Sequence, residues 1–433
     1  MTYKEAIAYC DAMRARGIRP GLERLRHALA LAGDPHRRLR VIHVAGTNGK
    51  GSVARMIQCM LSAAGYRVGM FSSPAVTGVC DTVTLDGKGI TSERFAALIT
   101  QWAAIQDALD EAEKLTEFEL ITAAAFTCFA EERVDICVLE CGMGGREDAT
   151  NVCPPPLATV FTPIAMDHAT FLGDSVEAIA YQKSGIIKAP CAVVTSPAQS
   201  IDALAVLYEV AADQGLTVHM PNTSSARLLD SRVGETRFSL DGTDYCVPLG
   251  GAFQMENALT ALETMRVLAT RGFMADADAL CAGLSAAVLP CRQEVISRNP
   301  LVVLDGAHNP HGILGTATVL EEIMKQYGTR PTLLYGMLRD KDTAVCAALL
   351  APYVERVVCC TPPSERALGA QALAQQFEEA GVREVYAAVS PQEAWELSCR
   401  LAKGEPLFVG GSFYTAGAVR SLACAFATKC ENK

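Results

Sequence analysis

Short β-branched runs alternate with longer stretches of helical periodicity along almost the whole chain, and that alternation admits few folds. Parallel strands need a crossover long enough to return to the same end of the sheet, and a helix supplies it, so the pattern predicts an α/β protein with a mainly parallel sheet covered by helices. The expected strands are 41–45, 67–71, 134–140, 157–161, 191–195, 301–304, 331–335, 355–360 and 406–409. Helical segments are expected near 49–64, 92–113, 117–131, 175–182, 253–271, 312–326, 342–350, 368–380 and 391–402. Sheets of this kind bind ligands beyond the carboxyl ends of their strands. The polar and glycine-rich segments fall at those ends, after 45, 71, 140, 161 and 304.

A chain of 433 residues, half of them hydrophobic, is long enough for more than one core. The helical segment around Leu280–Ala287 gives way to Val288-Leu289-Pro290-Cys291-Arg292 before a second βα series begins at Leu301. We therefore expect one domain over 1–287 and another over 288–433. Residues 219–249 alternate polar and apolar positions around an Asp241-Gly242 turn, which reads as an antiparallel insertion in the first domain.

The formal charge of −10 and a pI near 5.3 argue against nonspecific binding to nucleic acid or to an anionic membrane. Seventeen cysteines are scattered through apolar runs without a C-x-x-C pair, and the seven histidines do not cluster with them. They read as small buried hydrophobes of a reducing compartment rather than a thiolate metal site. The first fourteen residues are amphipathic and lack the apolar core of a signal peptide, and no apolar run is long enough to span a bilayer, so a cytoplasmic location is expected.

The richest local signal is Val41-Ile42-His43-Val44-Ala45-Gly46-Thr47-Asn48-Gly49-Lys50-Gly51-Ser52. An apolar strand runs into a glycine-rich turn and then a helix, the arrangement that wraps backbone N–H groups and a helix N-terminus around phosphate oxygens. The spacing G-x-x-G-K-G-S is shorter than the common G-x-x-x-x-G-K-[ST]. Lys50 is placed for the β- and γ-phosphates of a nucleoside triphosphate and Ser52 for a magnesium ion. Glu140, at the end of strand 134–140, offers an acid beside the flexible backbone Cys141–Gly145, as a magnesium ligand would. Asp148-Ala149-Thr150-Asn151 adds polar side chains, though the same residue types suit a helix cap or Asx turn. Asp167-His168 follows strand 157–161. Lys183 alone reads as a solvated helix-end cation. Arg292 and Asp305-Gly306-Ala307-His308-Asn309-Pro310 belong to the second domain and suit either a ligand or a capped βα turn.

Together these motifs resemble the folylpolyglutamate synthase/dihydrofolate synthase family within the Mur-type ATP-dependent amide ligases. The resemblance runs from Gly21-Leu22-Glu23-Arg24 through A-G-T-N-G-K-G-S (45–52), Ser72-Ser73-Pro74, Thr116–Glu119, Leu139–Asn151, Lys183–Lys188, Gln254/Asn257 and Tyr335–Asp342 to Gly411-Ser412-Phe413-Tyr414. It implies a P-loop Mur-ligase-like central domain with a smaller C-terminal Rossmann-like α/β domain. It also implies an activity: ATP- and Mg2+-dependent addition of L-glutamate to a folate or dihydropteroate carboxylate through an acyl phosphate. Thr47, Asn48, Gly49, Lys50, Gly51 and Ser52 would bind the phosphates, and Asn257, Arg292 and Asp305 would be further ATP contacts. Ser73, Glu140, His168 and Lys183, the last as a carbamate, would hold two Mg2+ ions. Lys50, Lys183, His168 and Arg292 would serve catalysis, and Thr116, Glu117, Phe118, Glu119, Arg146 and Asp148 the substrate. The expected partners are small molecules, and the expected state is a monomer.

Three positions depart from the family pattern. Ala75–Val83 lacks the histidine and basic residues usual after Ser73-Pro74, Gln182 replaces an acid, and Cys291 replaces a glycine. The phosphate machinery is intact, so the departures bear on acceptor recognition. A related amide ligase with a non-folate acceptor is the first alternative. A nucleotide-binding regulator without turnover is the second.

Overall fold

The computed structural model describes residues 1–431. By their contacts they group into two compact units, Met1–Ser225 with Glu256–Ala287, and Ala226–Met255 with Val288 to the end of the described chain.

The first unit is built on strands β1 (Val41–Ala45), β2 (Val68–Phe71), β3 (Val83–Leu85), β4 (Lys88–Gly89), β5 (Ile136–Glu140), β6 (Ala158–Phe161), β7 (Ala192–Thr195) and β8 (Val218–His219). Their order across the sheet is β4-β3-β2-β5-β1-β6-β7-β8. All pairings are parallel except those of β3 with β2 and β4. β1 sits in the interior with every residue buried, as its unbroken Val-Ile-His-Val-Ala requires of a parallel strand covered on both faces. One face packs Phe71, Leu120, Phe126 and Phe129, with Trp102 donating its indole N–H to Thr127 Oγ1 at 3.0 Å. The other face packs Phe161, Ile179, Ile186 and Val193. Gly69 in β2 leaves room for the Phe129 ring, which an added Cβ would meet at 2.6 Å.

In the second unit a three-stranded antiparallel sheet comprises β9 (Arg227–Arg232), β10 (Glu235–Leu240) and β11 (Thr243–Val247). The turn between Leu240 and Thr243 is the Asp241-Gly242 turn read from sequence, with φ of 50° and 81°. The placement of this segment differs from the expectation: it groups with the second unit, where Val233 joins the core and Ser231 donates to Glu322 at 2.6 Å. A six-stranded sheet follows, β12 (Glu294–Arg298), β13 (Leu301–Leu304), β14 (Thr332–Tyr335), β15 (Arg356–Cys360), β16 (Glu384–Ala388) and β17 (Leu407–Gly410), ordered β12-β13-β17-β14-β15-β16. Only β12 runs antiparallel to its neighbour.

All nine expected strands form, within two residues of their predicted starts and one of their ends. The periodicity overlooked β3, β4, β8, β12 and β16, which are short, edge-lying or only half-buried. It also overlooked helices Glu23–Leu31, Ile201–Asp213 and Phe413–Glu431.

Candidate active site

β1 delivers the chain into the phosphate loop between β5 and β6. At Gly46 (φ 147°) the backbone passes so close to β6 that a Cβ would collide with the Thr162 side chain. The Thr47 hydroxyl donates to Ala165 O at 2.9 Å and accepts from Ala165 N at 3.0 Å. The N–H groups of Thr47 and Asn48 both turn to Pro163 O, at 2.9 and 3.4 Å. These two residues thus also fasten the loop to the segment after β6. The N–H groups open to an anion are those of the first turn of helix Lys50–Ala63, which have no partner within the helix. Gly49, with φ of 86°, lets the turn close, and an added Cβ there would lie 2.6 Å from Asn257 Oδ1. Lys50 Nζ donates to Thr47 O at 3.1 Å, which holds its ammonium over the turn.

Glu140 ends β5 opposite Val44 of β1 and is 2% exposed. An added Cβ at Gly51 would come within 3.4 Å of its Oε2, so the acid stands directly behind the loop. His168 follows β6 with φ of 52°, its N–H donating to Asp167 Oδ1 at 2.9 Å and its side chain one-third exposed. Ser73 follows β2 and is half-buried.

Lys183 is drawn into the same loop. It lies on helix Val176–Ser184, 4% exposed, with Nζ donating to Gly46 O at 2.8 Å. Burial, and secondarily the charge of Lys50, pull its ammonium down to about 7. It is an interior amine on the phosphate loop, not a solvated helix end.

Among the described residues no three of His, Cys, Asp or Glu are placed to form a metal cage. Magnesium does not need one, since it is held by one or two carboxylates together with water and substrate phosphates. A buried carboxylate behind a phosphate loop, with the Ser52 hydroxyl in the first helical turn, is a donor set of that kind.

Several expected substrate residues make structural contacts. Thr116 and Glu119 form a reciprocal capping box on helix Glu117–Glu131, with Glu119 Oε2 accepting from Thr116 N at 2.8 Å and Oε1 from Arg24 at 3.0 Å. Glu117 accepts from Arg14 Nε at 2.8 Å. Phe118 alone of the four faces the Gly142 turn, where an added Cβ would meet its ring at 2.6 Å, and it packs on Phe71 with ring centroids 5.8 Å apart. Arg146 is exposed and lies over the Tyr181 ring at 4.4 Å. Asp148 is buried and caps the short helix Ala149–Val152, accepting from Met143 N at 2.8 Å, Thr150 N at 3.0 Å and Thr150 Oγ1 at 2.6 Å.

In the second unit, Asp305 leaves β13 buried and accepts from Gln293 N at 3.0 Å and Ala307 N at 2.9 Å. Burial raises its pKa, and Arg292 opposes the rise. Arg292 lies 4.3 Å over the Phe413 ring. Cys291 adopts φ of 53°, in the left-handed region that glycine enters without strain. Sequence reading gave no separate role to His43, which proves fully buried behind the loop; the signal was a lone polar side chain in an otherwise apolar strand.

Two family models match the chain, the Mur ligase middle domain over residues 44–265 and the Mur ligase glutamate ligase domain over residues 291–413. Folylpolyglutamate synthase of Lacticaseibacillus casei is 34% identical over 433 residues, covering 97% of this chain and 98% of that protein. Dihydrofolate synthase/folylpolyglutamate synthase of Bacillus subtilis is 36% identical over 352 residues, 78% of this chain and 80% of that protein. Among solved structures, Mycobacterium tuberculosis folylpolyglutamate synthase complexed with ADP and AMPPCP has a TM-score of 0.86 at 32% identity, covering 97% of this chain and 99% of that one.

Proposed function

The chain belongs to the folylpolyglutamate synthase/dihydrofolate synthase family of Mur-type ligases, and from that premise we propose how its own residues carry the reaction. It is an ATP-dependent ligase that joins L-glutamate to a folate-type carboxylate, releasing ADP. The observation that carries the site reading is the convergence of Lys50, Glu140 and Lys183 on one loop, with Lys183 Nζ 2.8 Å from Gly46 O and Glu140 3.4 Å from a Cβ at Gly51.

Moving the γ-phosphoryl group onto a carboxylate concentrates negative charge on the transferred group. Lys50 and the first turn of helix Lys50–Ala63 face that charge with a cation and unpaired N–H groups. Glu140, Ser52, Ser73 and His168 would hold Mg2+, which when bound supplies Lewis-acid neutralisation of the phosphate oxygens. Lys183 would join them as a carbamate. An amine whose pKa is about 7 is largely unprotonated above that pH, so its nitrogen can bond to the carbon of CO2, release a proton and become an anion. Asn257, beside Gly49, is positioned to order the turn or the nucleotide. Arg292 and Asp305 are proposed nucleotide contacts of the second unit.

A second reading concerns the acceptor. Ala75, Thr77 and Asp81 are exposed in the loop after Ser73, and no basic side chain occurs from Ala75 to Val83, which favours an acceptor with less negative charge than a folate polyglutamate. A product assay with ATP, L-glutamate and dihydropteroate, folate or unrelated carboxylates, read by mass spectrometry, separates the readings. ADP formation that needs both acceptor and glutamate supports the ligase; nucleotide binding without turnover overturns it. We further propose a cytoplasmic monomer, checked by sizing; no described helix is long and apolar enough to cross a membrane.

A further inference from the structure

We propose that His43 is a positioning residue for ligation, holding the 141–151 segment against the phosphate loop through Thr150 and Asp148. His43 is the third residue of β1, the strand that runs directly into Gly46. Its Nε2 lies 2.7 Å from Thr150 Oγ1 and 3.2 Å from Cys141 Sγ, and its Nδ1 lies 3.7 Å from Cys153 Sγ. The tautomer follows from counting protons. Thr150 has one hydroxyl proton and two acceptors within reach, Asp148 Oδ1 at 2.6 Å and Cys141 Sγ at 3.7 Å, and the nearer carboxylate oxygen is the stronger acceptor. With Asp148 ionised, the hydroxyl oxygen accepts and His43 donates from Nε2–H. Burial keeps the imidazole neutral, at a pKa of about 3.

Asp148 passes the constraint on. Its other oxygen accepts from Met143 N at 2.8 Å, which fixes the turn just beyond Glu140. The neighbouring Asn151 Nδ2 donates to Arg146 O and Gly185 O, both at 3.0 Å, and Arg146 N donates to Gln182 O at 2.8 Å. The segment is thus tied at one end beside Glu140 and at the other beside Lys183. A valine at position 43 would fill the strand equally well, so burying an imidazole makes physical sense only if its N–H is used. Misplacing reacting groups by about 1 Å is enough to cost ~100-fold in rate.

The test uses the full chain and three variants. His43→Leu removes the donor, Thr150→Val removes its acceptor without changing shape, and His43→Gln keeps an N–H at the same number of bonds from the backbone. Hydrogen exchange over 141–151 should be about tenfold faster in His43→Leu and Thr150→Val, and unchanged in His43→Gln. kcat should fall about tenfold in the first two, with KM for ATP within about twofold of wild type, and the double variant should be no worse than either single one. His43→Gln as impaired as His43→Leu, or wild-type exchange in His43→Leu and Thr150→Val, overturns the proposal. If His43→Leu does not fold, Thr150→Val decides. The kinetic readout rests on the ligase reading and the exchange readout does not, so an inactive wild type would sink that reading while exchange still judged the relay.

Discussion

Lys183 and Gly46 stand 137 positions apart in the chain, yet the lysine ammonium donates to the glycine carbonyl at 2.8 Å inside the phosphate loop. The contact puts a second amine beside Lys50, and burial together with that neighbour holds Lys183 at a pKa of about 7 against an ordinary 10.5.

A pH dependence of stability follows. The folded protein binds this proton more weakly than the unfolded chain does, so between about pH 7 and 10.5 the unfolded state holds more protons and stability rises with pH. The cost of the buried ammonium is present in full below that window. In CO2-free buffer the Tm of Lys183→Met should exceed that of wild type most below pH 7 and converge with it towards pH 10.5. Parallel Tm curves for the two proteins would contradict the buried-amine assignment.

Carbamate formation makes a separate demand on the same side chain. Lys183→Ala should lose ligation, Lys183→Arg should fail because a guanidinium does not form the carbamate, and acetate or formate should partly restore Lys183→Ala by filling the lost anionic position. Turnover of both variants at wild-type rates would leave no role for the modification.

Lys50 is half-buried and donates to Thr47 O in the turn it follows. Lys50→Ala should therefore change unfolding free energy by only about 0.5 kcal/mol while ADP formation falls by orders of magnitude. Denaturant melts and a coupled ADP assay measure the two, and a folded variant with near-normal turnover refutes the phosphate-loop role.

Arg292 rests on Phe413 and is partly exposed, whereas Asp305 is buried under three hydrogen bonds. Arg292→Ala is expected to raise KM for ATP with little loss of Tm. Asp305→Ala is expected to lower both activity and Tm, since it strands buried N–H groups. Unchanged ATP kinetics in Arg292→Ala would remove it from the nucleotide site.

In the loop after Ser73, Ala75 is exposed and a Cβ at Gly78 would meet nothing within 4 Å, so both accept larger side chains. Thr82 does not: it is buried and donates to Val79 O at 2.7 Å. Installing Ala75→His and Gly78→Arg should tighten folate acceptors by about 1.5–3 kcal/mol per charge-assisted hydrogen bond gained. Folate KM measured before and after decides; tight folate binding by the unaltered chain would show that the loop is not the determinant.

Sequence alone determined what depends on short stretches of chain. Apolar runs of the right length specified the buried parallel strands, and Gly46–Ser52 specified a tight turn leading a cation into a helix start, because these are adjacent residues. Only the tertiary structure decided which side chains serve the site. Asp148 has a residue type that suits a cap and a ligand equally, and the capping hydrogen bonds that it, Thr116 and Glu119 make appear only in the folded chain. Thr47 turns its hydroxyl and N–H to the segment after β6, a contact visible only once two strands lie side by side. Lys183 is the extreme case: the charge state of an amine depends on how much water surrounds it and on which cations lie near, and neither is written in its neighbours along the chain.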